Sequence, residues 1–467
     1  MIDLRQNKAF ALTFALIFLF LIVSFIAVYF LAVANGINEA NRVANGKKAY
    51  YIADAGLADA YERITQAGIT TVASSTCVNP SIPSTCSSPF IPSVPNAPIT
   101  DNGVYSVGPI TGNYRVSIVY SNAPRTNYTI TSTGTYGKVS KTLQLKIIGA
   151  AISKYAYWSQ TELNPAFGGP LWWVGEPGLE MLTTGPVQTN GSLNIFGNPI
   201  FNGAVTEAGP SPNYYPGVAS NPNIIFLDGL TNNAPQINLP PIKSLGAIQN
   251  AAGMVLTGAS TIIFNPTGTI TVTGTVKNLS GVVTATYNKT TINPPANGVI
   301  FVKSNTNQTD GNVTVQGTVS GQLTVAADQN IYVSGSVAYN KDPRTNPSST
   351  DLVGLVANQN ITIVEASAPT QLEMSGVLVA LQGSFQVDQW WVYRGNSKTA
   401  VMDQFGSLIN NVCGATGEMD MSGNLLGGWN QIQAYDARLA TIAPPGFPPY
   451  VNNSGNAVYN KVSITEL

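Results

Sequence analysis

The sequence predicts a mostly β protein of the α+β class: one long N-terminal helix, a small antiparallel sheet, then a right-handed parallel β-helix head. Three observations predict it. An uncharged apolar run from Ala9 to Ala34 leads straight into an amphipathic stretch that stops near Ala67-Gly68. Period-two alternation marks three segments between Tyr114 and Ile147. Beyond residue 151, short strand-like segments recur with Gly and Asn between them.

The helix comes first. At about 1.5 Å per residue the apolar run is roughly 35–40 Å long, enough to cross a bilayer core of about 30 Å. Arg5 and Lys8 precede it, with Asp3 a small counterweight, so the N-terminus is expected in the cytoplasm and the bulk outside. A secretory signal carries a shorter apolar core of about 7–15 residues. Here Ala32-Val33-Ala34 continues into more helix instead of a mature domain. From Asn35 to Gln66, Glu39, Arg42, Lys47, Lys48, Asp54, Asp59, Glu62 and Arg63 alternate with Ala, Tyr, Ile and Leu, which gives this half one apolar face. Gly36 and Gly46 either loosen the helix, at about 1 kcal/mol each, or allow close packing.

Residues 69–100 are rich in Ser, Thr and Pro and read as an irregular loop. Cys77 and Cys86 lie in it, close enough to bridge. On the outer side of a membrane this pair is expected as a disulfide, with two free thiols as the competing reading. Cys413 is either a buried small hydrophobe or a free thiol. The alternating segments Tyr114–Tyr120, Tyr128–Gly134 and Lys141–Ile147 form an antiparallel meander, and the amphipathic half of the helix is the obvious cover for its apolar face.

The head is read from strands such as Thr261–Phe264, Thr269–Val272, Gly298–Val302, Asn312–Val315, Gln322–Val325, Asn330–Val333, Asn360–Ile363 and Gly376–Val379. Short strands with polar corners suit stacked β-helix coils. Their irregular spacing keeps a β-sandwich open. A Pro-rich stretch, Ala443–Pro449, and a last strand, Asn460–Thr465, close the chain.

Composition excludes several chemistries. Of 467 residues only 10% are charged, the net charge is −1, and there is no histidine. That removes Ser-His-Asp and Cys-His catalysis, His-containing zinc sites and His-ligated haem. No basic stripe marks a nucleic-acid interface. Asp328, Asp342, Asp351, Glu365, Glu373 and Asp388 show no telling pair spacing and read as turn or surface residues. Asn305–Asn312 lacks the terminal carboxylate of a calcium loop and reads as a turn. Trp172-Trp173 and Trp390-Trp391 are expected to cap the ends of the head, with stacking on sugars as the competing use. No catalytic residue, metal site or cofactor is expected, and the chain is not expected to be an enzyme.

The helix, with Ala53-Asp54-Ala55-Gly56-Leu57 inside it, resembles type IV pilin-like proteins, in particular large minor pilins. GPVQTNGSLNIFGNPIFNG (185–203), DLVGLVANQNITI (351–363), GSLI (406–409) and AYDARLATIAPPGFP (434–448) resemble β-helical head modules attached to such helices. The resemblance implies a leader, residues 1–9, that a prepilin peptidase removes between Ala9 and Phe10. It implies a transmembrane and assembly helix over 10–68, the loop and meander over 69–150, and the head with its tail over 151–467. In a filament core Phe10, Phe14, Phe18, Leu21, Phe25 and Val33 would meet neighbouring helices. Major pilins carry Glu at the fifth mature position, where this chain has Phe14, and that departure implies a minor or tip-located subunit. The expected partners are other pilin subunits, the assembly machinery, the inner membrane before assembly, and a surface or glycan ligand. The expected location is the inner membrane, then an extracellular filament or cell surface, with adhesion as the role of the head. The alternative is a permanently anchored surface β-helix protein that binds or acts on polysaccharide.

Overall fold

The computed structural model describes residues 4–66, 99–107, 110–121, 127–149, 152–164, 169–176, 179–239, 243–277, 281–392, 400–420, 425–447 and 458–467. Helix α1 runs unbroken over Leu4–Gln66, through Gly36 and Gly46. At about 1.5 Å per residue it is roughly 95 Å long.

The second half of α1 rests on a five-stranded antiparallel sheet: β1 (Ile99–Val107), β2 (Ile110–Ser121), β3 (Asn127–Tyr136), β4 (Val139–Gly149) and the C-terminal strand Tyr459–Glu466. The three expected segments fall inside β2, β3 and β4. Two edge strands add to them: β1 pairs with β2, and the C-terminal strand pairs with β4. That last pairing changes the domain plan. The chain leaves the sheet at Gly149 and re-enters it at Tyr459, so the head is an insertion between two neighbouring strands.

Helix and sheet meet through small residues. Ala49, Ile52, Ala53, Leu57, Ala60 and Ile64 form a buried stripe at three- and four-residue steps. All but Ala49 pack on Tyr114, Val116, Ile118, Tyr128, Ile130, Leu143, Leu145, Ile147 and Tyr459. A Cβ on Gly134 would overlap the Ala53 backbone nitrogen, and one on Gly56 would overlap Ser132 Oγ and the Tyr114 ring. The Ala-Asp-Ala-Gly-Leu signature is therefore a close-approach device: its small residues let the helix backbone lie on β3. Polar ties flank the contact. Tyr114 OH donates to Asp59 Oδ2 at 3.1 Å, and Tyr61 OH to the Tyr459 carbonyl at 3.1 Å.

In the head, strands from successive turns of chain pair parallel and in register, where a sandwich would pair them antiparallel. One ladder runs Val255, Phe301, Ala326, Val356, Val379, Ile409, Trp158, Gln188, Thr206, Thr231. At about 4.8 Å per step it is roughly 43 Å long. A second runs Ile262, Val315, Val333, Ile363, Val387. Corners are held by asparagines: Asn330 N–H donates to Asn312 Oδ1 (3.0 Å), Asn360 N–H to Asn330 Oδ1 (3.1 Å) and Ser384 N–H to Asn360 Oδ1 (2.9 Å). Each side-chain carbonyl satisfies a backbone donor that the bend would otherwise strand.

The order of the ladder explains the irregular spacing. The chain enters mid-stack at Tyr157–Thr161, climbs to Leu230–Thr231, crosses to the far end at Met254–Phe264, and returns until Ile409 pairs with Trp158. On the way, Asn190 clasps the crossing segment, donating to the Ile237 carbonyl (2.6 Å) and accepting from Ile237 N–H (2.9 Å). One expectation is corrected. Thr261–Phe264 and Thr269–Val272 are not strands of two successive coils but the two arms of an antiparallel hairpin. Asn265 N–H bonds the Thr269 carbonyl and Gly268 takes φ +83°, which closes the turn locally. Ile270–Lys277 then pairs antiparallel with Val283–Ile292.

The Pro-rich tail lies against this stack. Asp436 caps a short 3-10 turn, and Arg438 reaches the carbonyls of Ser349 (2.8 Å) and Asp351 (3.0 Å). A Cβ on Gly354 would strike Pro444 and Phe447, so the motif around Gly354 and the Pro-Pro-Gly-Phe tail form one contact.

Candidate functional site

Two features stand out as functional, an uncovered helix and a pocket in the head. Ala9 and Phe10 lie within α1. Phe14, Phe18, Leu21, Phe25 and Val33 are 63%, 64%, 48%, 73% and 40% exposed, and the whole apolar stretch is long and apolar enough to cross a membrane. Burying one such side chain is worth about 1.5–3 kcal/mol, so leaving the run in water would cost on the order of tens of kcal/mol. This surface requires lipid or other helices around it. Where α1 meets the sheet edge, Arg42, Lys47 and Tyr51 line a groove of 430 Å³ with Lys141 and Glu466, which are ion-paired. Cys77 and Cys86 lie outside the described residues.

Of the six acids read as turn or surface residues, Asp351 and Glu365 are buried, and three hold coil corners. Asp328 accepts from Ser304 N–H, Asp351 from the N–H groups of Gly321 and Lys341, and Asp388 from Glu365 N–H. Asp342 and Glu373 join Asp403 around Arg344, whose guanidinium lies 4.6 Å from the Phe405 ring centre. In Asn305–Asn312 the Asp310 carboxylate accepts from Asn305 N–H and Nδ2, both at 2.8 Å, which makes it a self-closed turn. Among the described residues no group of three or more acidic or cysteine side chains is placed to hold a metal.

The tryptophans do not cap the ends of the stack. Trp172, Trp173 and Trp390 instead line one pocket of 360 Å³ on its flank, with Phe196, Tyr215 and Trp429. Trp172 stands edge-on to Tyr215 at 5.1 Å, and Trp390 edge-on to Trp391 at 5.4 Å. The reason is topological. Mid-stack entry brings the segment after Tyr157–Thr161 beside the one after Phe385–Val387, which an end-to-end climb would separate. Glu418, Asp420, Thr416, Asn410 and Gln431 supply polar groups to the same cavity.

Beneath the pocket lies a buried polar cluster that sequence reasoning missed. Glu162 is 2% exposed and accepts from Tyr157 OH (3.2 Å), Trp173 Nε1 (3.3 Å) and Ser159 Oγ. Burial pushes its carboxyl pKa up, and the hydrogen bonds from Ser159, Trp173 and Tyr157 only partly offset this. Burial and the neighbouring Glu162 push the Cys413 thiol well above its ordinary range, so it stays protonated and unreactive. Glu207 is pushed up to about 7 by burial, against the Leu193 N–H bond to its Oε2 (3.0 Å). Cys413 is thus the buried thiol, held protonated rather than poised as a nucleophile. Nothing in the linear spacing of Glu162, Glu207 and Cys413 signalled that they would converge.

No known protein family and no curated protein matches the chain. Among solved structures it is similar to the competence-associated pilin ComZ from Thermus thermophilus, at 13% identity and a TM-score of 0.30, over 91% of this chain and 97% of that one.

Proposed function

We propose that this chain is a minor or tip-located subunit of a type IV pilus-like or type II secretion-like extracellular filament, and not an enzyme. One observation carries the reading: a single continuous helix has one half fully exposed and apolar, and the other half docked on its own sheet. A helix of that form waits in the inner membrane and then trades lipid for neighbouring helices. Lipid tails and Leu-rich helix faces are nearly equivalent surroundings, so assembly machinery can tip the exchange. Prepilin peptidase cuts between Ala9 and Phe10. The head, a right-handed parallel β-helix, is displayed outside for adhesion, in a compartment where Cys77 and Cys86 form a disulfide. Phe14 leaves the subunit without a carboxylate to pair with a neighbour's new amine, which suits the end of a filament.

The test is the intact mass and N-terminal sequence of the protein sheared from its native cell surface. A start at Phe10 is expected. A start at Met1, with the chain confined to the membrane fraction, would overturn the filament reading in favour of a permanent anchor.

A further inference from the structure

We propose that the aromatic pocket of the head binds a neutral pyranose at the end of a glycan. Trp172, Tyr215 and Trp390 supply apolar ring surface, and the C–H face of a pyranose packs on such surface while its hydroxyls point sideways. Polar groups stand where those hydroxyls would need partners. The Glu418 and Asp420 carboxylates accept, and Thr416 Oγ1, which donates to Gln431 Oε1 at 3.4 Å, accepts as well. The volume of 360 Å³ falls at the small end of ligand sites, about 300–1,000 Å³, and fits one or two sugar rings rather than a long chain.

Charge selects within the sugars. Two carboxylates line the cavity, and no Lys or Arg stands among the described residues lining it. A uronic or sialic acid would bring a third negative charge beside these two carboxylates. The filament reading above enters only in saying where the glycan comes from, namely a surface the displayed head touches. Binding itself does not depend on assembly, so the two can fail separately.

The experiment uses the purified full chain in detergent micelles on an array of neutral and acidic oligosaccharides, followed by fluorescence titration with the sugars that bind. Neutral glycans are expected to bind and to shift tryptophan emission. Trp172→Ala should weaken binding about tenfold or more with thermal unfolding unchanged. Leu227→Ala, at a 53% exposed side chain of the head outside the pocket, should bind as the parent does. Four outcomes would overturn the proposal: a folded protein that binds no saccharide, preference for acidic sugars, preference for choline over every sugar, or cleavage of the bound glycan. Equal affinity in the Trp172→Ala and Leu227→Ala variants would overturn the placement of the site.

Discussion

The two halves of α1 are one hydrogen-bonded rod in two environments. Between Leu12 and Val33 large apolar side chains point to every side, and none is buried. Between Ala49 and Ile64 a single apolar stripe is buried, while Lys47, Asp54 and Glu62 occupy exposed positions around it. The intended surroundings, more than helix propensity, set these patterns. A helix that covers one sheet needs one apolar face, and a helix to be enclosed needs apolar residues all round.

The sharpest way to break this contrast is to separate helix from sheet. Gly134→Val places a side chain into the Ala53 backbone and should destabilise the helix–sheet unit by about 3 kcal/mol or more. Thermal unfolding read by circular dichroism in detergent checks it. A variant that melts with the parent would mean the helix does not rest on β3. Matched truncations come next. Leu57→Ala should cost about 2–5 kcal/mol, whereas Leu21→Ala in detergent should stay within about 0.5 kcal/mol of the parent. Equal losses would erase the difference between the halves.

A third effect carries the comparison into the head, where burial acts on charge. Glu207 sits near pH 7 in the fold against an ordinary carboxyl near 4.5. Its raised value means the unfolded chain ionises first as pH rises, so stability from this group is full below about 4.5 and is lost progressively up to about 7. The loss should be at most about 3 kcal/mol. Denaturant unfolding of the parent and Glu207→Gln at pH 4.5 and 7.5 should show the variant gaining relative stability at the higher pH. A constant difference would contradict it. The smallest effect is Tyr114→Phe, which removes the bond to Asp59 and should cost about 1 kcal/mol. A midpoint shift in the same denaturant titration reads it.

Much of this architecture was legible in the sequence, because its signals are local. The apolar run, the helical stripe from Ala49 to Ile64 and the alternation in β2, β3 and β4 each need only a short window. Asn312, Asn330 and Asn360, each just ahead of a strand, marked the corners that they hold. What was not legible depends on partners distant in sequence. The pairing of Tyr459–Glu466 with β4 spans the whole head, and no local pattern encodes it. Entry into the middle of the stack, fixed by Ile409 against Trp158, is equally non-local. It placed Trp172 and Trp390 in one pocket instead of at opposite ends, and it gathered Glu162 and Cys413 beneath them. The hairpin at Asn265 misled for the opposite reason, since its two arms look like any other short strands until a turn residue pairs them.

The most direct test of the central claim is a photo-crosslinking residue placed at Phe18 in living cells, followed by shearing of the cell surface. The account predicts crosslinks from this position to another pilin-like subunit or a second copy, recovered in the sheared fraction. Crosslinks to lipid alone, with the chain left in the membrane pellet, would contradict it.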